Sequence, residues 1–212
     1  MNLSPELLSV NVGQPRPVEL PGRTVSTAIW KAPVSGPVAV RGVNVDGDDQ
    51  ADRSVHGGPD KAVYAYGMSE ILEWEDVLGR HLGASAFGEN LTIGGLDVSG
   101  ARIGERWRVG TVLLEAVQPR LPCFKLGLKF NDPTFLRQFA RSGRPGTYLK
   151  IVEEGVLETG DAVEVVDVPE HDVTMRLMMH AFLVDRSRLP ELLDAPGLLA
   201  DWRDWIEQGA AE

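Results

Sequence analysis

Glycine and proline cut this chain into pieces too short for long helices: 23 glycines and 14 prolines punctuate 212 residues, most densely across the first three quarters. Between the breaks β-branched residues crowd, as in Thr24-Val25-Ser26-Thr27-Ala28-Ile29-Trp30 and Pro37-Val38-Ala39-Val40, which is the texture of a β-rich domain with many turns. The pattern predicts strands at 7–12, 24–30, 37–40, 43–45, 62–66, 107–109, 111–117, 147–152 and 162–168, with a further strand following Leu91. Most connections are too short for crossover helices, so the sheet is expected to be largely antiparallel and closed or strongly curved.

Two helices interrupt these strands. Residues 68–81 carry Ile71, Trp74 and Leu78 at helical spacing, with Glu70, Glu73 and Asp76 available for a wet side. Asp132-Pro133 reads as a cap followed by proline at the first helical position, opening a helix to about 141 that Gly143 and Pro145 stop. Beyond 167 the strand pattern ends and three short helical patterns follow, at 172–183, 188–193 and 198–208, with Pro190 and Pro196-Gly197 marking the breaks. The expected fold class is therefore mainly β with helices (α+β), divided into a β-barrel domain, 1–167, and a C-terminal three-helix domain, 168–212. The tail reads either as a docking module for a protein partner or as a cap packed on the barrel.

Charge narrows the function. With 31 acidic against 21 basic residues the net charge is −10, a field that repels phosphate backbones. The tail from 167 onward holds ten acidic residues against four arginines, so a DNA-binding reading of its three helices fails and no nucleic acid partner is expected. No apolar run approaches the roughly 18 residues of a membrane span, and Met1-Asn2-Leu3-Ser4-Pro5-Glu6 lacks the basic start of a signal peptide, which predicts a cytoplasmic protein with no membrane association. The single cysteine, Cys123, excludes an intrachain disulfide, a multi-cysteine zinc site and a self-contained iron–sulfur cluster. There is no G-x-G-x-x-G after a strand and no G-x-x-x-x-G-K-[ST], and His56, His81, His171 and His180 show no H-E-x-x-H spacing.

Three polar clusters remain. In the first, from Asp46 to Lys61, Gly57 and Gly58 beside His56 can turn backbone N–H groups toward one point and form a concavity for anions; the same stretch also reads as an acidic turn with an ordinary histidine. In Phe87-Gly88-Glu89-Asn90-Leu91, Asn90 can offer a donor and an acceptor to a heterocycle, or simply bond within a turn. The third, Gln118-Pro119-Arg120-Leu121-Pro122-Cys123-Phe124-Lys125-Leu126, places Cys123 on a rigid loop at a strand end. A lone cysteine is by default a small buried hydrophobe, yet Arg120 and Lys125 would favour its thiolate, the form that binds metal or attacks carbon.

The runs Gly47-Asp48-Asp49-Gln50, Val55-His56-Gly57-Gly58-Pro59-Asp60-Lys61-Ala62, Phe87-Gly88-Glu89-Asn90-Leu91 and Gln118-Pro119-Arg120-x-Pro122-Cys123-x-Lys125-Leu126, four in order, closely resemble the MOSC domain and within it the bacterial YiiM-like branch. The resemblance covers roughly 7–168, and the tail is similar to the small helical domain that follows it there. It implies a MOSC β-barrel holding the molybdenum cofactor (Mo-molybdopterin), without pyridoxal phosphate, with Cys123 as the one protein ligand to the metal. It also implies Lys31, from Thr27-Ala28-Ile29-Trp30-Lys31-x-Pro33-Val34, with His56, Gly57, Asn90 and Arg120 around the cofactor, and Cys123 and His56 as catalytic groups, His56 delivering a proton.

The implied enzyme is an oxidoreductase that reduces N-hydroxylated small molecules, such as hydroxylamino purines and other base analogues, amidoximes and hydroxamic acids, a detoxifying activity. With no cysteines left to build a cluster, electrons must come from a separate flavin reductase or ferredoxin-type donor. Two other readings stand beside it: a noncatalytic molybdenum cofactor or sulfur carrier, and a cysteine hydrolase pairing Cys123 with His56, for which no oxyanion-site signal exists. The oligomeric state stays open, a homodimer included.

Overall fold

A computed structural model describes residues 4–51 and 57–209, so His56 lies outside the described residues. The chain opens with β1 (Glu6–Val12), the hairpin of β2 (Arg16–Leu20) and β3 (Arg23–Thr27), then β4 (Ala32–Val34), β5 (Val38–Arg41) and β6 (Asn44–Val45). A 3-10 turn at Pro59–Lys61 leads into β7 (Val63–Gly67), α1 (Met68–Leu78) and β8 (Leu91–Gly94). The hairpin of β9 (Arg106–Val109) and β10 (Val112–Gln118) precedes α2 (Phe124–Phe130) and α3 (Phe135–Arg141). Strands β11 (Thr147–Glu153), β12 (Gly155–Leu157) and β13 (Val163–Asp167) come before α4 (Met175–Leu183), a 3-10 stretch at Arg186–Asp194 and α5 (Ala200–Gly209).

The result is a mixed α+β fold around one large sheet, ordered β13-β9-β10-β11-β7-β8-β1-β4, with a smaller β12-β5-β6 sheet and the β2-β3 hairpin beside it. Pairing in the large sheet is antiparallel except between β7 and β8, which run parallel because α1 supplies the crossover. The expected closed barrel is not what forms among the described residues. The sheet keeps two margins, β13 and β4, and curls until the segment before β13 meets the start of β1: Glu6 faces Ala162 in an isolated bridge, and the Leu7 N–H donates to the Asp161 carbonyl at 2.9 Å. β4 already pairs with β1 from Val10 to Val12, so only the beginning of β1 is left to the opposite margin. Breaks of register at Leu7/Ser9, Ala116/Gln118 and Val165/Asp167 provide the bends.

Several expected elements change length for visible reasons. The 24–30 strand stops at Thr27, whose hydroxyl takes the Ile29 N–H at 3.2 Å and turns the chain. α1 ends at Leu78 because Gly79 adopts the left-handed conformation (φ 63) that closes helices. α3 starts at Phe135, later than Pro133, since the Asp132 carboxylate caps the Thr134 N–H at 2.8 Å and holds a turn in front of the helix. The second tail helix, with Pro190 inside, is 3-10. Strands β2, β4 and β12 and helix α2 add to the expected set.

The core falls into two apolar clusters. One fills the inside of the sheet with Leu7, Val40, Leu91, Trp107, Leu114 and Leu149, and tail residues Val173, Met175, Met178, Leu192, Leu198 and Ile206 belong to it. Residues on both sides of the expected 167/168 boundary thus share one interior. The other cluster is aromatic: Phe130 stacks on Phe135 at 3.8 Å and Tyr66 on Phe87 at 4.2 Å, with Trp74 and Phe139 alongside. It clamps α1, α2 and α3 against the 87–90 turn. No helix of the described residues is long and apolar enough to cross a membrane.

Glu70, expected on the wet side of α1, is buried at 4% exposure, because as the third helical residue it reaches back to accept the Gly67 N–H at 3.1 Å. Burial pushes its carboxyl up from 4.5 to about 7, against the opposing hydrogen bonds. An acid raised in the fold stabilises it only while protonated, so this contribution is complete below about pH 4.5 and lost as pH rises through about 7. Glu70→Gln keeps the acceptor and removes the ionisation. In urea denaturation at about pH 8 the variant should exceed wild type by up to about 3 kcal/mol, with the two converging toward pH 4.5; a gap independent of pH would show that Glu70 is not the titrating group.

Candidate functional site

Three chain segments meet at one carboxylate. Asp48, in the turn after β6, has a side chain only 2% exposed, and it pairs with Lys31, whose side chain is 9% exposed. It also accepts the Gly13 N–H at 2.8 Å and the Asn90 side-chain amide at 2.9 Å. Two charges drawn this far from water need such surroundings, since an unpaired one costs several kcal/mol (about 3–5). For Lys31, burial lowers the pKa and Asp48 only partly restores it, while Arg120 lowers it again, so the ammonium sits below its usual value.

Asn90 is tied into the scaffold. Its amide oxygen accepts the Tyr64 N–H at 3.1 Å, and its NH₂ group donates to Asp48 and to the Asn11 carbonyl at 3.2 Å. With the backbone bonds Asn90 N–H to Tyr64 O and Asn11 N–H to Asn90 O, both 2.7 Å, it ties β7, β8 and β1 together under the site. Its observed role is to fix the floor of the cavity.

The opposite wall begins where β10 ends. Pro119 and Pro122 stop the ladder, and between them Arg120 turns inward, 7% exposed, to donate to the Phe87 carbonyl and lie 5.0 Å over the Tyr64 ring. Gly88 makes this approach possible. It sits at φ +74, and a Cβ there would stand 2.9 Å from Ile29 Cγ1 and 3.6 Å from Arg120 Nη1. Burial works against the Arg120 charge, but Tyr148, Cys123 and Tyr64 outweigh it and hold the guanidinium protonated.

Cys123 is half-buried and stands at the N-cap of α2, with extended backbone (φ −130, ψ 159), so the expected loop runs directly into a helix. Burial alone would push the thiol up. The Arg120 charge, helped by the N–H groups of Leu126 and Lys125, more than offsets it, and the pKa falls below the ordinary thiol value. Beyond α2's buried face lies Lys129, which donates to the Ile29 carbonyl at 2.9 Å; burial first, then Arg120 and Lys31 against the attraction of Glu89, bring its pKa down to about 8.

Lys31, Asn90, Arg120 and Cys123 therefore line a single cavity, together with Asp48 and Lys125. Gly57 lies on an adjoining cleft that shares Arg120 and Cys123 with it. His56 falls outside the described residues. Residue reading missed Asp48, Lys61 and Tyr148 in the lining. Asp48 stood inside Gly47-Asp48-Asp49-Gln50 and was legible as part of a polar run; Tyr148 arrives only through the pairing of β11 with β10, which brings Tyr148 opposite Gln118. What the arrangement offers is a soft sulfur donor, biased to thiolate, in a pocket where lysine and arginine outnumber carboxylates.

Comparison with known proteins gives the family. The family model described as MOSC domain matches residues 52–164. Protein YiiM of Escherichia coli is 31% identical over 183 residues, which are 83% of this chain and 81% of that protein. The uncharacterised protein YflK of Bacillus subtilis is 34% identical over 200 residues, 93% of this chain and 90% of the relative. A Gibberella moniliformis protein called a reductase is 34% identical over 167 residues, 77% of this chain but 29% of its own length. In structure, YiiM from Geobacillus stearothermophilus superposes with a TM-score of 0.77 at 30% identity, covering 96% of this chain and 98% of that one. The chain belongs to the MOSC domain family, alongside its YiiM relatives.

Proposed function

We propose that this protein binds the molybdenum cofactor through Cys123 and reduces N-hydroxylated small molecules with electrons from a separate protein. The observation that carries the reading is the setting of Cys123: the one cysteine of the chain lines a cavity with Lys31, Arg120 and Lys125, and its thiolate is favoured there. The described residues offer no group of three or more His, Cys, Asp or Glu side chains able to hold a bare metal ion. A single thiolate suits a metal that arrives already chelated, as in a pterin dithiolene, and the surrounding cations suit a pterin phosphate. The relative called a reductase supports the class of chemistry.

When bound, the cofactor supplies a two-electron redox centre beside Cys123. The chain's own residues do the rest. Cys123 is the anchoring sulfur, Arg120 holds it deprotonated, and the Lys31–Asp48–Asn90 unit fixes the opposite wall at constant shape. Tyr148, half-buried beside Cys123, has its pKa raised by burial, with Arg120 opposing and the Cys123 charge adding to the rise, so it stays a neutral hydrogen-bonding hydroxyl at the cavity wall. His56, next to Gly57 in sequence, is the proton source in this proposal. Overall the N–O bond of the substrate breaks, two electrons and two protons are consumed, and the amine or amide and water leave. The electrons come from a flavin reductase or ferredoxin-type protein.

Elemental analysis of protein made in a host that synthesises the cofactor should find near-stoichiometric molybdenum in wild type and little in Cys123→Ser. Loss of a hydroxylamino substrate or amidoxime should then require both the metal and a reduced donor; equal metal content in the two proteins would remove Cys123 as the anchor, and full metal without turnover would leave a cofactor carrier.

The thiolate assignment has its own measurement. Removing a cation raises the pKa of a neighbouring thiol, so Arg120→Gln should shift the pH profile of Cys123 alkylation by iodoacetamide upward and slow the reaction at about pH 7, whereas Arg120→Lys should fall between the two. Coincident profiles would mean that Arg120 does not govern the sulfur.

A further inference from the structure

Cys123 faces two spaces. The cationic cavity is one of them. The other is a cleft of about 480 Å³ whose walls come from opposite ends of the chain: Asp60 at the turn before β7, Leu121 and Pro122 before α2, and Leu199, Asp201 and Trp202 from the start of α5. Lys61, Arg120, Cys123 and Tyr148 line both. Away from this shared border the second space changes character. Its lining there is mainly proline, leucine and indole, with Gln118 and the carboxylates Asp60 and Asp201 and, among the described residues, no further cation, whereas the first holds Lys31 and Lys125 besides the shared Lys61 and Arg120.

The tail's part in this cleft is set by packing. Ile206 is buried at 1% and Leu198 at 5%, which seats α5 against the sheet core. Trp202 is half-buried. Phe182 meets it edge-on at 5.0 Å (82°) and Trp205 at 6.3 Å (89°), and its indole N–H reaches Gln118 Oε1 at the end of β10, at 3.4 Å. The plane of the ring is thereby fixed before any ligand arrives, and a fixed aromatic ring binds a flat partner at little entropic cost.

We propose that this cleft is the substrate entrance and that Trp202 is a specificity-determining residue, stacking planar substrates so that their N–OH group is presented toward Cys123, while Asp60 and Asp201 disfavour anionic ones. The inference rests on the reductase reading above and divides the site: the cationic cavity holds the anionic cofactor, and the cleft walled by the tail admits neutral or cationic aromatic N-hydroxy compounds.

Three readouts test it. Benzamidine, flat, cationic and not reducible, should bind wild type and quench indole emission; in Trp202→Leu, which keeps apolar volume without the ring, the affinity should fall roughly tenfold, and Trp202→Phe should recover most of it. With cofactor and donor present, the ratio of kcat/KM for benzamidoxime to that for acetamidoxime should drop by a similar factor in Trp202→Leu. A benzoate-bearing amidoxime, poor in wild type, should improve in Asp201→Asn. Unchanged benzamidine affinity in Trp202→Leu, or an unchanged substrate ratio, would overturn the role of Trp202, and an unimproved benzoate-bearing amidoxime in Asp201→Asn would overturn the charge selection. Failure of the loaded wild type to reduce either amidoxime would count against the reductase reading, and the benzamidine measurement would still decide whether Trp202 belongs to a binding surface for flat cations.

Discussion

Arg120 carries a full charge into a place that water barely reaches, and much of the surrounding structure follows from making that tolerable. A guanidinium with nothing to bond to would cost more than most single interactions contribute to a fold. Here the Phe87 carbonyl accepts from it, the Tyr64 ring lies beneath it, and the Cys123 sulfur beside it gains negative character. Each of those partners is held by something else. Phe87 is fixed by stacking with Tyr66, Tyr64 donates its hydroxyl to the Pro145 carbonyl at 2.8 Å, and Cys123 is held between Pro122 and the first turn of α2. The aromatic cluster is therefore a support for the electrostatics as much as a source of burial.

The same balance explains which parts of the molecule could be read from residues alone. Strand runs with alternating or continuous β-branched residues, such as 7–12, 111–117 and 147–152, declare themselves because their pattern is local and agrees with their burial. β2 and β4 hold prolines, Pro17 and Pro33, which argue against a strand; both lie where a ladder can tolerate a missing donor, β2 in an isolated hairpin and β4 at the sheet margin. α2 is hidden for another reason. Phe124-Lys125-Leu126-Gly127-Leu128-Lys129-Phe130 alternates apolar and polar like a strand, yet the residues it buries are Lys125, Leu126, Gly127 and Phe130 while Phe124 stays exposed, a set that a two-residue period cannot put on one face and a helix can.

Site residues divide along similar lines. Cys123, Arg120 and Asn90 were legible because a lone cysteine, a cation between prolines and an amide after glycine are unusual locally. What each does was less legible. Asn90 offers the right groups for a heterocycle, yet all of them bond to β7, β1 and Asp48, a fact that depends on three segments far apart in sequence. Trp202 gave no signal at all, because a tryptophan in an amphipathic helix is ordinary, and only the docking of α5 near the end of β10 brings it to the cleft beside Cys123.

The cavity lined by Lys31, Lys61, Arg120 and Lys125 sits in a chain of net charge −10, so its carboxylates have to be balanced locally for it to stay cationic. Asp48 and Asp49 both line the cavity, and Lys31 balances Asp48, so that pair contributes shape and little net charge. Glu89, immediately before Asn90, is fully buried and turned to the Phe87 N–H at 2.9 Å and the Thr92 hydroxyl at 3.0 Å, with burial raising its pKa and Lys129 nearby opposing that rise. At the sulfur itself Arg120 is the charge that favours the thiolate. A ligand that brought negative charge beside Cys123 would relieve the mutual repulsion of Arg120, Lys31 and Lys129, which is the repulsion that now helps hold Lys129 down to about 8. By linkage, occupation of the cavity by an anion and protonation of that buried lysine favour one another, so the acidic exterior and the cationic interior are two halves of one electrostatic arrangement.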